Sequence, residues 1–149
     1  MPSRARVLYV DGSKDCREVL SAALGSCRIE TTAVATATEA LSLIQTERFD
    51  LYLLEAASPD LDGIELCRRL RAVDTHTPIL FFSGAALEAD KRKGIEAGAD
   101  AYLRKPDVDE LVSRIKQVVS QSRQATAKII PFRRTKDDAS SFSFGPAAA

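Results

Sequence analysis

The sequence predicts an α/β protein, a parallel sheet of five strands with helices over both of its faces. Three observations carry this prediction. Short apolar runs recur five times along the chain, each bounded by turn or capping residues. A segment of helical periodicity follows each run. The runs are apolar almost throughout instead of alternating with polar residues, as strands buried on both faces must be.

The first run, Arg6-Val7-Leu8-Tyr9-Val10, ends at the turn signal Asp11-Gly12. Ser13 is placed to cap a helix carrying Cys16, Val19, Leu20, Ala23 and Leu24 on one face, with Gly25 as its stop. Ile29 to Val34 reads as the second strand. Thr36 and Glu39 have capping-box spacing and open a helix with Ala40, Leu41, Leu43 and Ile44. Asp50 to Glu55 is the third strand. Asp62 and Glu65 repeat the cap spacing ahead of Ile64, Cys67 and Leu70. Pro78 to Ser83 is the fourth strand, and a helix from about Leu87 to Ala97 ends at Gly98. Ala101 to Arg104 is the fifth strand. Asp107 and Glu110 open the last helix, whose apolar face is Val108, Leu111, Val112, Ile115, Val118 and Val119.

Apolar periodicity stops at about Ser122. The expected organisation is therefore one domain over residues 1–121, followed by a disordered, basic tail over 122–149. Residues 1–120 hold 16 basic and 19 acidic side chains, and residues 121–149 hold 5 and 2. Within the tail, Ile129-Ile130-Pro131-Phe132-Arg133-Arg134 has the character of a short docking motif. The whole chain balances at 21 basic and 21 acidic residues, so net charge makes no case for nucleic acid. Cys16, Cys27 and Cys67 are odd in number and lack CxxC spacing, which fits a reducing, cytoplasmic setting and argues against a disulfide framework or a zinc site. No signal peptide and no membrane span are expected.

The residues that bear on function stand at the same end of their strands. Asp11 follows the first, Glu55 closes the third, Ser83 closes the fourth, and Lys105-Pro106 follows the fifth. A carboxylate at the end of a buried strand is costly unless paired, and sites in α/β proteins cluster at the carboxyl ends of the strands. In this order and with these gaps, the four features resemble the receiver domain of two-component response regulators. The resemblance covers residues 5–121. Asp50 through Gly63, Ala97-Gly98-Ala99-Asp100-Ala101-Tyr102 and Lys105-Pro106 make it specific.

The resemblance implies a flavodoxin-like (βα)5 fold, doubly wound, with strand order 2-1-3-4-5. It also implies an aspartate at position 55 that accepts a phosphoryl group from a histidine kinase. A pair of acidic residues after the first strand would hold Mg²⁺, with a switch hydroxyl at Ser83, a lysine at Lys105 and a switch aromatic at Tyr102 that turns inward. Gly84 matches the family's small residue beside the hydroxyl, and the backbone carbonyl of Ala57 would complete the metal shell. Partners, a histidine kinase or a downstream effector in a phosphorelay, would meet the surface of the fourth helix, fifth strand and fifth helix, here Leu87, Lys91, Tyr102 and Arg104. Lys91-Arg92-Lys93 makes that surface locally basic.

Two positions depart from the pattern. Gly12 stands where the second metal-binding acid belongs, and Glu55 stands where the phosphoacceptor aspartate belongs. Only Asp11 and Glu55 remain for a metal, so Mg²⁺ binding is expected to be weak. The extra methylene moves the carboxylate by about 1.5 Å, one C–C bond, and misplacement of about 1 Å can cost about 10²-fold in rate. The same displacement brings the charge to where Lys105 and Ser83 would otherwise meet a phosphoryl group. Two readings follow: Glu55 imitates the phosphorylated state, or the switch has decayed and the fold serves as a binding scaffold.

The sequence thus points to an atypical, stand-alone pseudo-receiver that signals by protein–protein contact, not an enzyme, without phosphorylation at position 55. No DNA-binding module is expected in residues 122–149. The rivals are a phosphorylatable, Mg²⁺-dependent receiver, a small phosphoryl-transfer enzyme or hydrolase using Asp11, Glu55 and Lys105, and a nucleotide binder. Against the last two, no Walker-type loop is present and Asp11-Gly12-Ser13-Lys14-Asp15 makes a poor phosphate cradle. His76 lies in the loop before the fourth strand, away from the site.

Overall fold

The computed structural model describes residues 4–58 and 61–129. The strands are β1 (Ala5–Val10), β2 (Ile29–Val34), β3 (Leu51–Leu54), β4 (Ala57–Ser58), β5 (Leu61–Asp62), β6 (Ile79–Ser83) and β7 (Ala101–Arg104). The helices are α1 (Lys14–Ser26), α2 (Ala37–Leu43), α3 (Gly63–Val73), α4 (Glu88–Glu96) and α5 (Val108–Ile129). The chain divides into the units Met1–Val119 and Ser120–Ala149. The sheet, the core and the site all belong to the first.

Five strands form one parallel sheet in the order β2-β1-β3-β6-β7, the flavodoxin-like order. The remaining two, β4 and β5, form a separate antiparallel pair, with Ala57 opposite Asp62 and Ser58 opposite Leu61. Strands this short carry no periodicity, and the sequence gives no sign of them.

Side chains alternate across the sheet with the period of two that a strand dictates. Leu8, Val10, Tyr52, Leu54, Ile79, Phe81 and Tyr102 face Leu66, Cys67 and Leu70 of α3, with Ala40 and Ala97 beside them. Val7, Tyr9, Leu51, Leu53, Leu80, Phe82 and Leu103 face Leu20 and Leu24 of α1 and Leu111, Ile115 and Val119 of α5. Each fully buried side chain of this size contributes about 1.5–3 kcal/mol. The sheet is thus sealed on both sides, which leaves its strand ends open.

The caps fall where the sequence places them. Ser13 accepts from the Cys16 N–H, Thr36 and Glu39 form a reciprocal capping box, and Asp62 accepts from the Glu65 N–H. Gly98 ends α4 with φ +118°, and a Cβ there would lie 3.0 Å from Arg71 Cγ.

Three details correct the sequence reading. Gly25 does not stop α1, which runs to Ser26, and Arg28 takes the left-handed conformation (φ 67°) that turns the chain into β2. Val19 is 69% exposed. It lies one residue, hence 100° of helix, from the buried stripe of Leu20 and Leu24. Finally, α5 continues past Ser122 to Ile129, through a stretch free of Gly and Pro that a helix can propagate. The remainder of the expected tail, residues 130–149, lies outside the described residues, as does most of the motif at 129–134. No helix among the described residues is long and apolar enough to cross a membrane.

Candidate functional site

Register brings the site together before any side chain is considered. Val10 pairs with Leu54 across β1 and β3, so the next residues, Asp11 and Glu55, emerge side by side. The Asp11 N–H still bonds to Val34 O at 3.1 Å and the Glu55 N–H to Val10 O at 3.0 Å, which fixes both backbones as extensions of the sheet. On the far side Ser83 pairs with Arg104, and the Lys105 N–H bonds to Ser83 O at 3.0 Å. The strand order thus delivers two acids, a hydroxyl and an ammonium to one edge of the sheet.

The Lys105 ammonium bridges the two acids. Its Nζ lies 2.9 Å from Asp11 Oδ2 and 2.9 Å from Glu55 Oε1. A third contact, 3.6 Å to Cys16 Sγ, accounts for its remaining N–H. On the other carboxylate oxygen of Glu55, the Ser83 hydroxyl donates a short hydrogen bond to Oε2, and the Ala57 N–H donates to the same atom at 3.2 Å. The Ser83 oxygen in turn accepts the Ala85 N–H at 3.1 Å. Both oxygens of Glu55 are therefore satisfied by protein donors. Asp11, Glu55 and Ser83 are all buried, at 1%, 6% and 0% exposed, so these bonds do not compete with bulk water.

Asp11 is held just as fully. Oδ1 accepts from the Ser13 N–H at 2.9 Å, and Oδ2 accepts from the Tyr9 hydroxyl at 2.6 Å as well as from Lys105. Burial resists ionisation of Asp11, but the bonds from Tyr9, Ser13 and Lys105 outweigh it and hold the carboxyl below its ordinary pKa. Burial likewise disfavours a charged Lys105, and the bonds to Glu55 and Asp11 outweigh that, raising the ammonium above its ordinary value. The lysine is a cation and Asp11 an anion throughout the physiological range.

Close packing sets the remaining geometry. A Cβ on Gly63 would lie 2.0 Å from Glu55 O, so only glycine lets α3 start against the site. Gly84 is open, with nothing within 4 Å of a Cβ placed there.

Tyr102 points inward, 9% exposed. Its ring is stacked on Phe81 with centroids 5.1 Å apart, and its hydroxyl donates a short bond to Ala85 O. Burial raises its pKa. Of the four residues expected on a partner surface, Leu87 and Arg104 are exposed and Lys91 is half-buried, bonded 3.8 Å to Glu88. Tyr102 is not on that surface, because Gly94 leaves room for its ring beneath α4.

The donor set does not fit Mg²⁺. The ion asks for near-octahedral oxygen ligands at about 2.0–2.1 Å. Here Gly12 contributes no side chain, and the two carboxylates that remain are already bonded to an ammonium and to hydroxyl and amide donors. Among the described residues, no group of three His, Cys, Asp or Glu side chains converges as a metal site.

Sequence reasoning missed Tyr9, Gly94 and the amides of Ala57 and Ala85. Tyr9 was open to notice, as the one polar tip in the apolar stretch Val7-Leu8-Tyr9-Val10, two residues before Asp11. The amides carry no side-chain signal.

The fold has known counterparts. The family profile described as "Response regulator receiver domain" matches residues 7–116. The response regulator MprA of Mycobacterium bovis is 32% identical over 123 residues, which is 82% of this chain and 54% of MprA. The chain thus spans about half the length of the curated relatives it matches. The receiver domain of the Francisella response regulator 1452 superposes with a TM-score of 0.74 at 31% identity, covering 80% of this chain and 99% of that one. A CheY-like receiver domain protein from Methanospirillum hungatei gives 0.76 at 28% identity, covering 83% and 99%.

Proposed function

Since the chain belongs to the response regulator receiver domain family, a family of signalling modules in two-component signal transduction, we propose that it is an atypical member, one that transmits its signal by protein–protein contact without phosphorylation at Glu55. One observation carries the reading. Ser83 and Lys105 both bond to the Glu55 carboxylate. In a receiver these two side chains would bind phosphoryl oxygens, and here a built-in carboxylate takes both of them.

The inward Tyr102 supports the phosphate-imitating form of the proposal over the decayed switch. A decayed site has no reason to keep the hydroxyl, the lysine and the aromatic all engaged, whereas here each is bonded, Ser83 and Tyr102 are buried and Lys105 is half-buried. Magnesium is not required in this reading, because the Lys105 ammonium pairs with both acids and offsets one of their two charges. Residues 1–121 would act as the signalling domain, in the cytoplasm, where free Cys16, Cys27 and Cys67 stay reduced. Histidine kinases and effectors are the class of partner, and the exposed Leu87 and Arg104 belong to the face we assign to them. A phosphoryl-transfer enzyme is disfavoured because neither acid is free to act as a base or a nucleophile.

The test is incubation with radiolabelled acetyl phosphate and Mg²⁺. The expected result is no incorporation. Stoichiometric label that disappears in Glu55→Gln would overturn the proposal.

A further inference from the structure

We infer that Tyr9 is a positioning residue of this site, whose buried hydroxyl sets, through Asp11, where the Lys105 ammonium stands between Asp11 and Glu55. The inference rests on the reading of Glu55 as a built-in ligand of Lys105, and it adds a residue that reading does not contain.

Tyr9 is 0% exposed and stands in the face of the sheet that packs on α1 and α5. Its neighbours in β1, Val7, Leu8 and Val10, are apolar and equally buried. Phenylalanine would serve the packing, while a tyrosine brings a hydroxyl that must find a partner in the dry interior. That partner is Asp11 Oδ2 at 2.6 Å, on the same side of the strand two residues on. The same oxygen receives Lys105 at 2.9 Å.

Two donors therefore share one carboxylate oxygen, and the lysine shares itself between two acids. The result is one continuous chain of bonds: Tyr9 hydroxyl, Asp11, Lys105, Glu55, Ser83 hydroxyl. It ties together β1, β7, β3 and β6. In such a chain each bond tunes its neighbours. The Tyr9 hydroxyl takes part of the hydrogen-bonding capacity of Oδ2, so Asp11 draws less strongly on the ammonium. Without the hydroxyl, Asp11 Oδ2 has Lys105 as its remaining donor and pulls it away from Glu55. Tyr9 thus keeps the lysine balanced between the two acids.

The experiment is a double-mutant cycle. The coupling between Glu55 and Lys105 is measured by urea unfolding with Glu55→Gln, Lys105→Met and both together, once with Tyr9 intact and once with Tyr9→Phe. Tyr9→Phe is expected to reduce the coupling to about half or less. Tyr9→Leu, which also loses the ring, serves as the packing control. A coupling that is unchanged by Tyr9→Phe and altered only by Tyr9→Leu would assign Tyr9 to packing alone and overturn the inference.

A second arm leaves Tyr9 untouched and decides the matter if Tyr9→Phe does not fold. In Lys105→Met, the NMR resonances of the Tyr9 ring and hydroxyl should shift, because Asp11 then bonds to Tyr9 without a competing donor. Resonances that stay in place would also overturn the inference. Neither arm uses a phosphodonor or a partner. Phosphate labelling at Glu55 would therefore sink the functional reading and leave this result standing, and the converse also holds.

Discussion

A Cβ on Gly94 would lie 2.7 Å from Cδ2 of Tyr102. The inward seat of Tyr102 therefore depends on a glycine in the helix above it. Phe81 closes the other side, with its Cδ2 3.0 Å from the same point. Gly94→Ala should force the ring outward or strain both aromatics. We expect a stability loss of about 1–3 kcal/mol, as for other overpacked cores. Tyr102 should also become accessible to nitration, with mass spectrometry reading the site. An unchanged nitration pattern would show that α4 moves instead.

Glu55→Gln removes the charge that faces Lys105 while keeping an acceptor for Ser83. The ammonium retains Asp11 as a partner, so the loss is partial. It should fall near about 1–3 kcal/mol in urea unfolding at neutral pH, the range for breaking a charged buried bond. A variant more stable than the parent would mean that burying two acids around one lysine costs more than their bonds return.

Asp74 sets a pH dependence at the opposite end of the sheet. Burial disfavours its charge, but bonds from the Thr77 hydroxyl and N–H, the Tyr52 hydroxyl and the His76 N–H outweigh burial and bring its pKa down to about 2 from 3.8. A lowered folded pKa means that the contribution to stability is complete above the unfolded value of 3.8 and disappears as pH falls through about 2. Its size is about 2 kcal/mol. The stability gap between the parent and Asp74→Asn should hold steady from pH 7 to about pH 4 and shrink below it. A gap that does not change with pH would assign the cost of Asp74→Asn to geometry alone.

Restoring the family pattern should restore its chemistry. Gly12 is exposed, so Gly12→Asp places a second acid beside Asp11 without opening the core. Glu55→Asp retracts the carboxylate by about 1.5 Å, away from Ser83. The double variant is expected to take label from acetyl phosphate in the presence of Mg²⁺, and each single change should give much less, because metal and nucleophile act together. If the double variant stays unlabelled, the bar to phosphorylation is something other than these two positions.

Much of this molecule is legible in its sequence, for reasons that differ from part to part. The five main strands and the caps at Ser13, Thr36 and Asp62 are encoded locally, in runs and spacings a few residues long. The gathering of Asp11, Glu55, Ser83 and Lys105 follows from strand order, which the resemblance supplies and the register then makes concrete. Val19 misled because helical spacing admits two faces 100° apart, and packing with the sheet chooses between them. Gly25 misled because a glycine permits a helix end without requiring one, and Arg28 took the turn instead. The contact of Gly94 with Tyr102 is invisible in sequence, since it depends on how closely α4 approaches β7.

The carboxylate that Ser83 and Lys105 hold is joined to the backbone just after β3 by carbon–carbon bonds. A phosphoryl group on an aspartate hydrolyses, and its departure gives an ordinary receiver a clock. The charge on Glu55 has no such clock, and it lasts as long as the polypeptide does. In the reading proposed here the strength of the signal is therefore set by how many copies of the chain exist. Control passes from the kinase and phosphatase to synthesis and degradation.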